Sequence, residues 1–321
     1  MEEQPRFRDR ALTLAGVVGE NVEITSANPL NYHQAITNPA KCEPVVVDGK
    51  LFLPGSEEPL PLVLVVPGSL GVADSHVGHA ETLVAAGYGA FVLDPFGARA
   101  VESTVADQTQ YSLAASAFDV LATLRTLSQH PAVDQKRISG QGHSRGGTAV
   151  LAASMRRFAD PIVGEGLSLA GTYSVYPWCG HQFASPDVGQ TRIRAILGDQ
   201  DDWISVQQVQ AQIQAIRLVG GDASIRMVAG AAHSFDRHEP VHEIPEASVL
   251  PGAPTIYLDD DGAMVDPTTG VADPALGDRD MFLAAAHSGL GRQGAHIGSA
   301  GDQPALFTAD MVRFHSAVFA A

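Results

Sequence analysis

Apolar residues along this chain come in short unbroken runs, separated by stretches with helical spacing. Leu60-Pro61-Leu62-Val63-Leu64-Val65-Val66 reads as a buried strand, and Ala90-Phe91-Val92-Leu93-Asp94 as another. A helix is predicted between them near 75–87, with His76, Ala80, Leu83 and Val84 on one face. Leu113, Ala117, Val120, Leu121 and Leu124 place a long helix near 108–129. Arg137-Ile138-Ser139 is a short strand signal, and the Ala-rich run from Thr148 to Met155 is helical. Further strands are predicted near 165–170, 192–197 and 223–228, with a helix near 204–218. A last amphipathic helix near 303–319 carries Met311, Phe314 and Val318, which need a core to bury against. Strands that recur with intervening helices predict an α/β protein, a mostly parallel central sheet with helices on both faces.

The rhythm weakens in three places. Residues 1–44 read as a leader or extension packed on the core, with one short strand over 22–25. Val45 to Leu53 reads as strand-turn-strand, with Asp48-Gly49 as the hairpin turn. The Pro-, Gly- and Asp-rich region at about 237–300 predicts a long irregular excursion within one catalytic domain spanning 45–321. A loop of that length in a compact domain is usually functional.

The chemistry is concentrated at Gly140-Gln141-Gly142-His143-Ser144-Arg145-Gly146-Gly147. This is a G-x-S-x-G nucleophile elbow in its required context, strand then sharp turn then helix. Glycines at 142 and 146 are expected because a Cβ there would collide with the neighbouring strand and helix. A serine hydroxyl is a weak nucleophile at neutral pH and needs a base oriented by an acid. The strand at 192–197 runs into Gly198-Asp199-Gln200-Asp201-Asp202-Trp203, where Asp201 is the first choice of acid, Asp202 the second and Asp199 a further rival. The strand at 223–228 runs into Ala232-His233-Ser234, which makes His233 the candidate base. The order Ser, Asp, His is the one this motif requires.

Two backbone N–H groups are needed for a developing oxyanion. Arg145, after the nucleophile, is one. Pro67-Gly68-Ser69-Leu70-Gly71, after the strand at 60–66, offers the other at Ser69, with Leu70 the alternative. Leu70, His76, Arg145, Tyr173, Trp178, His181, Trp203 and Phe235 lie where loops are expected to ring the serine, the first, second, fourth, fifth, sixth and seventh as substrate-binding residues. His76 and His79, one helical turn apart, are candidates to line the site, with a solvated face the favoured reading for the pair. His143 is expected to point away from the nucleophile.

Composition narrows the field. The chain has 321 residues, is 45% hydrophobic and carries a formal net charge of −16, with only three lysines, Lys41, Lys50 and Lys136. No basic stripe exists to neutralise phosphates, so nucleic-acid binding is not expected. Cys42 and Cys179 are too few for a disulfide framework and are expected reduced. Trp178, Cys179 and His181 lack metal-ligand spacing, and no metal site is predicted. No apolar run is long enough to cross a bilayer. Met1 to Arg6 is charged and lacks the apolar segment of an export signal, so a cytoplasmic location is expected.

Taken together, Pro67-Gly68-Ser69-Leu70-Gly71, the lead-in Val133-Asp134 to Arg137-Ile138, Gly198 to Trp203 and Ala232 to Asp236 resemble the α/β-hydrolase superfamily, and within it the dienelactone hydrolase-like family, over about 45–320. The resemblance implies the α/β-hydrolase fold, an acyl-enzyme, no cofactor, and small ester or lactone substrates. One departure is clear. Dienelactone hydrolase proper has a cysteine in the elbow, whereas this chain has Ser144, which points towards a general serine esterase. The alternatives are a serine peptidase or amidase of the same fold, which usually brings a propeller or larger cap, and a non-catalytic binding protein, which commonly loses a triad member.

Overall fold

The computed structural model describes residues 6–321; the charged start, 1–5, lies outside them. In chain order the elements are β1 (Thr13–Leu14), β2 (Val17–Val18), β3 (Glu20–Asn28), α1 (Tyr32–Thr37), β4 (Glu43–Phe52), β5 (Leu60–Val66), α2 (Asp74–Ala85) and β6 (Gly89–Asp94). Next come α3 (Leu113–Ser128), β7 (Val133–His143), α4 (Arg145–Ala153), α5 (Arg156–Val163), β8 (Gly171–Val175), β9 (His181–Phe183), β10 (Arg192–Gly198), α6 (Val206–Leu218) and β11 (Ala223–Val228). The chain closes with β12 (His242–Val249), β13 (Ile256–Leu258), β14 (Met264–Val265), β15 (Ala272–Asp273), α7 (Asp278–His287), β16 (Arg292–Ile297) and α8 (Gln303–Phe319).

Eight strands form the central sheet in the order β11-β10-β8-β7-β5-β6-β4-β3. β4 runs antiparallel to both its neighbours, and the other pairs are parallel. Alternation along β7 and β8 sorts the two faces. A Cβ on Gly171 would meet Val318 and Phe314 of α8, and its register partner Ser139 bonds His315 of the same helix. One residue on, Gly140 faces Val150 of α4. Buried apolar strands such as β5, with Leu62, Val63, Leu64 and Val65 fully enclosed, are what a sheet covered on both sides requires.

Three expectations are corrected. The hairpin at Asp48-Gly49 is absent: β4 is one continuous strand, and Gly49 pairs with Val22 on one side and Leu93 on the other. The glycine serves close packing there, since a Cβ would lie 2.5 Å from the Phe91 ring. Asp48 is buried, accepting hydrogen bonds from Arg6 and Arg8 at 3.3 and 3.2 Å. Second, the strand placed near 165–170 lies at β8. Its polar residues read as loop, yet they are satisfied inside: Ser174 donates to the Gly147 carbonyl at 2.9 Å, and the Thr172 and Ser154 hydroxyls bond at 2.7 Å. Third, the region 237–300 is not irregular. β12 pairs with β16, β13–β15 join β9 in a four-stranded sheet, and α7 lies between β15 and β16 in sequence. Its strands are only two to eight residues long and half-exposed, so little periodicity marks them.

Candidate active site

β7 ends at His143, and α4 begins at Arg145. The turn between them rests on Ser144, whose backbone takes φ 53° and ψ −115°, the left-handed half of the map that non-glycine residues rarely occupy. Its N–H donates to the Val175 carbonyl at 2.9 Å. The flanking glycines leave no room for side chains. A Cβ on Gly142 would overlap the Gly146 carbonyl, and one on Gly146 would overlap the Val66 and Pro67 carbonyls.

The chain ends of β10 and β11 bring two further groups to this turn. The His233 Nε2 lies 2.9 Å from the Ser144 Oγ, and its Nδ1 lies 2.8 Å from Asp201 Oδ2. Asp201 Oδ1 accepts from the N–H groups of Trp203 and Ile204 at 2.9 and 3.2 Å, which fixes the carboxylate. The imidazole is buried, with the Trp203 ring stacked on it at 5.1 Å and the Tyr176 ring at 4.4 Å. The His233 backbone carbonyl accepts from the Gly298 N–H at 2.9 Å. With Nδ1–H donating to Asp201, Nε2 presents a lone pair to the serine hydroxyl. This arrangement can take a proton from Ser144 and return it to a leaving atom.

The two rival acids have other partners. Asp199 Oδ1 accepts from the Gly230 N–H at 2.7 Å. Asp202 accepts from the His296 N–H and ring at 2.9 Å each, and Arg292 approaches it at 3.4 Å, so it anchors β16. Burial raises the Asp202 carboxyl, but the bonds from His296 and the charges of His296 and Arg292 carry it below the usual range.

The turn at 67–71 lies against the serine: a Cβ on Gly68 would stand 3.2 Å from Ser144 Cβ. The Ser69 carbonyl is occupied by the Thr104 N–H at 2.8 Å, and among the described residues its own N–H donates to none. Arg145 is the first residue of α4, so its N–H has no partner within the helix. Its side chain is buried and pinned: Nε donates to Ser116 Oγ at 3.0 Å, Nη1 to the Gln108 carbonyl at 3.0 Å and Nη2 to the Tyr111 carbonyl at 2.5 Å. The guanidinium lies 4.3 Å over the Tyr111 ring.

Two small clefts flank the serine, sharing Ser69, Ser144 and Trp203. Trp178 lines one, and Leu70 and His76 line the other. Tyr173 and His181 line neither, which corrects their expected role. Tyr173 sits within β8 rather than in a loop, and its hydroxyl donates to Asp310 of α8 at 2.9 Å. His181 is buried on β9 beneath the Trp178 ring, with Nε2 3.0 Å from the Met281 sulfur. Phe235 is buried against Tyr176 and Phe307. Tyr176 and Phe282 escaped sequence reading, although the apolar triplet Met281-Phe282-Leu283 within the excursion was a usable signal.

Behind the serine, His76 and His79 are buried rather than solvated. His79 Nε2 bonds Asp236 at 2.8 Å, and the Tyr176 hydroxyl donates to the same carboxylate at 2.6 Å. His143 continues the chain through Tyr176 at 3.1 Å and Gln141 at 3.1 Å, and Gln141 reaches His315 at 3.1 Å. Burial drives both His143 and His315 down to about 3, in the first case against the pull of Asp236. Burial raises Asp236, but the His79 bond, the His143 and His79 charges and the Tyr176 bond hold it well below the usual carboxylate range. Ligand-type atoms of His79, His143 and Asp236 lie within 4.8 Å of one another, and hydrogen bonds already use them. Cys42 and Cys179 are free and buried. No described helix is long and apolar enough to cross a membrane.

An eight-stranded, mostly parallel sheet with a strained serine turn between β7 and α4 defines the α/β-hydrolase fold. The chain belongs to the dienelactone hydrolase family, whose model matches residues 47–249, and it is therefore a hydrolase. Among solved structures, m3DLH is 20% identical, covering 68% of this chain and 85% of its own, with a TM-score of 0.53; it shares the fold. A dienelactone hydrolase-like promiscuous phosphotriesterase from metagenomic libraries is 17% identical over 85% of this chain and 100% of that one, with a TM-score of 0.48. Esterase 2 of Thermogutta terrifontis is 15% identical over 65% and 86%, also at 0.48. No curated protein matches the chain.

Proposed function

We propose that this protein is a serine carboxylic-ester hydrolase, acting on small esters or lactones through an acyl-enzyme. The observation that carries the reading is the unbroken line from Ser144 Oγ to His233 Nε2 at 2.9 Å and from His233 Nδ1 to Asp201 at 2.8 Å. Ser144 attacks the ester carbonyl while His233 accepts its proton, and Asp201 holds the tautomer and stabilises the imidazolium. The N–H groups of Ser69 and Arg145 receive the oxyanion, each such donor typically contributing about 3–4 kcal/mol to the transition state. His233 then protonates the leaving oxygen, and water repeats the cycle on the acyl-enzyme. The fixed backbone around Ser144 means these groups need little reorganisation on substrate binding. No cofactor takes part in this scheme.

The test is hydrolysis of p-nitrophenyl acetate by the native protein and by Ser144→Ala. The expected result is turnover in the first and a loss of about 10⁴-fold or more in the second, with unchanged circular dichroism. Undiminished turnover in the variant contradicts the reading.

A further inference from the structure

Of the two clefts beside Ser144, only one touches the base. The cleft of about 20 Å³ is lined by His233, with Leu70, Gly71, Arg237 and Ile297 around it. The other, of about 40 Å³, is walled by Leu113, Trp178, Ile204, Val249, Leu250 and Phe282, and His233 does not line it. This second cleft shares Gln108, Ser248, Val249, Leu250 and Phe282 with a further cavity of about 450 Å³. An apolar slot therefore leads from the serine into a much larger space, whereas the niche beside the imidazole does not share those residues.

Proton transfer decides which half of an ester occupies which cleft. In acylation the Ser144 Oγ–carbonyl bond forms and the bond from carbonyl carbon to the alcohol oxygen breaks. The serine proton passes to His233 Nε2 and from there to that leaving oxygen, so the alcohol must sit within hydrogen-bond reach of Nε2. Water later supplies the oxygen and the proton that restore acid and serine. The alcohol thus belongs in the niche that His233 lines, and the acyl group in the apolar slot. Building on the serine-esterase reading above, we propose that the protein selects esters with the bulk on the acid side: aromatic or medium-chain acyl groups joined to small alcohols. The excursion at 237–300 sets this preference, because Leu250 and Phe282 stand where slot meets cavity and the Phe282 ring lies 6.4 Å from that of Trp178.

Isomeric esters test the assignment on the native protein. Methyl phenylacetate and benzyl acetate have the same atoms with the phenyl group on opposite sides of the ester, and their alcohols have similar acidity; methyl hexanoate and pentyl acetate form an aliphatic pair. The expected result is a kcat/KM about tenfold or more higher for the two methyl esters. Equal values, or a preference for the acetates, overturn the proposal. In Leu250→Trp, which narrows the junction, the ratio of methyl hexanoate to methyl acetate turnover is expected to fall about tenfold, and an unchanged ratio counts against the slot. A fluorophosphonate separates the two levels. If it labels Ser144 while the acetates are preferred, only the acyl assignment falls; if no ester turns over and Ser144 stays unlabelled, the esterase reading falls with it.

Discussion

The site joins two regions of different construction. The sheet-borne part consists of Ser69, Ser144, Asp201 and His233, each at or just beyond the C-terminal end of a parallel strand. There the backbone leaves no latitude, as the crowded Gly142 and Gly146 show. The excursion contributes Val249 and Leu250 from the end of β12 and Phe282 from α7, elements whose residues are largely exposed. Reacting groups need positions held to fractions of an ångström, whereas a pocket wall needs only shape and polarity. The two regions meet at Asp201 and Asp202. The first bonds His233 and the second ties down β16, so under the proposed reading adjacent carboxylates serve chemistry and architecture separately.

That division is open to perturbation from either side. The largest effect is expected from His233→Ala, which removes the proposed base and should lower kcat for p-nitrophenyl acetate by about 10⁴-fold or more. Asp201→Asn leaves the geometry but favours the wrong tautomer, with a loss of about 10⁴-fold expected. Asp202→Asn should cost kcat only a few-fold at most while speeding amide exchange in β16. A loss in Asp202→Asn equal to that in Asp201→Asn would collapse the distinction between the two regions. Gly146→Ala should destabilise the fold by about 1–3 kcal/mol or more through forced overlap with the Val66 and Pro67 carbonyls, read from urea midpoints. A native-like midpoint would mean the elbow tolerates slack.

Acid probes the buried histidines of the rigid region. His143 and His315 titrate near 3 in the fold, against an ordinary 6.5. Between those values the unfolded chain binds the proton and the folded one does not, so stability is lost as pH falls below about 6.5. At pH 4.5 each histidine should cost about 2–3 kcal/mol, and the lowered Asp236 carboxyl adds to the loss below its unfolded value near 4. Urea midpoints at pH 7 and 4.5 measure it. His143→Gln and His315→Gln should flatten the slope, and a pH-independent midpoint in the native protein would contradict buried neutral imidazoles.

What was legible in the chain follows the same line. Residues 140–147 announced the elbow because only glycine fits two of its positions, and the order of Ser144, Asp201 and His233 follows from strand order. Tyr173 was misplaced because β8 carries Thr172, Tyr173 and Ser174, polar residues whose partners on α4, α8 and the turn before α5 are remote in sequence. Asp48-Gly49 looked like a turn because nothing local reveals that β6 pairs with β4 from the other side. His79 looked solvated because its partner, Asp236, lies 157 residues away. Local rules read what backbone sterics impose, and they miss polar groups whose burial depends on distant partners.

The most direct test of the central claim is covalent. A fluorophosphonate should modify the native protein at one residue, mapped by peptide mass spectrometry to Ser144, with labelling largely lost in His233→Ala. An ester-hydrolysing protein whose adduct maps elsewhere, or whose Ser144 labels equally fast without His233, would contradict the account.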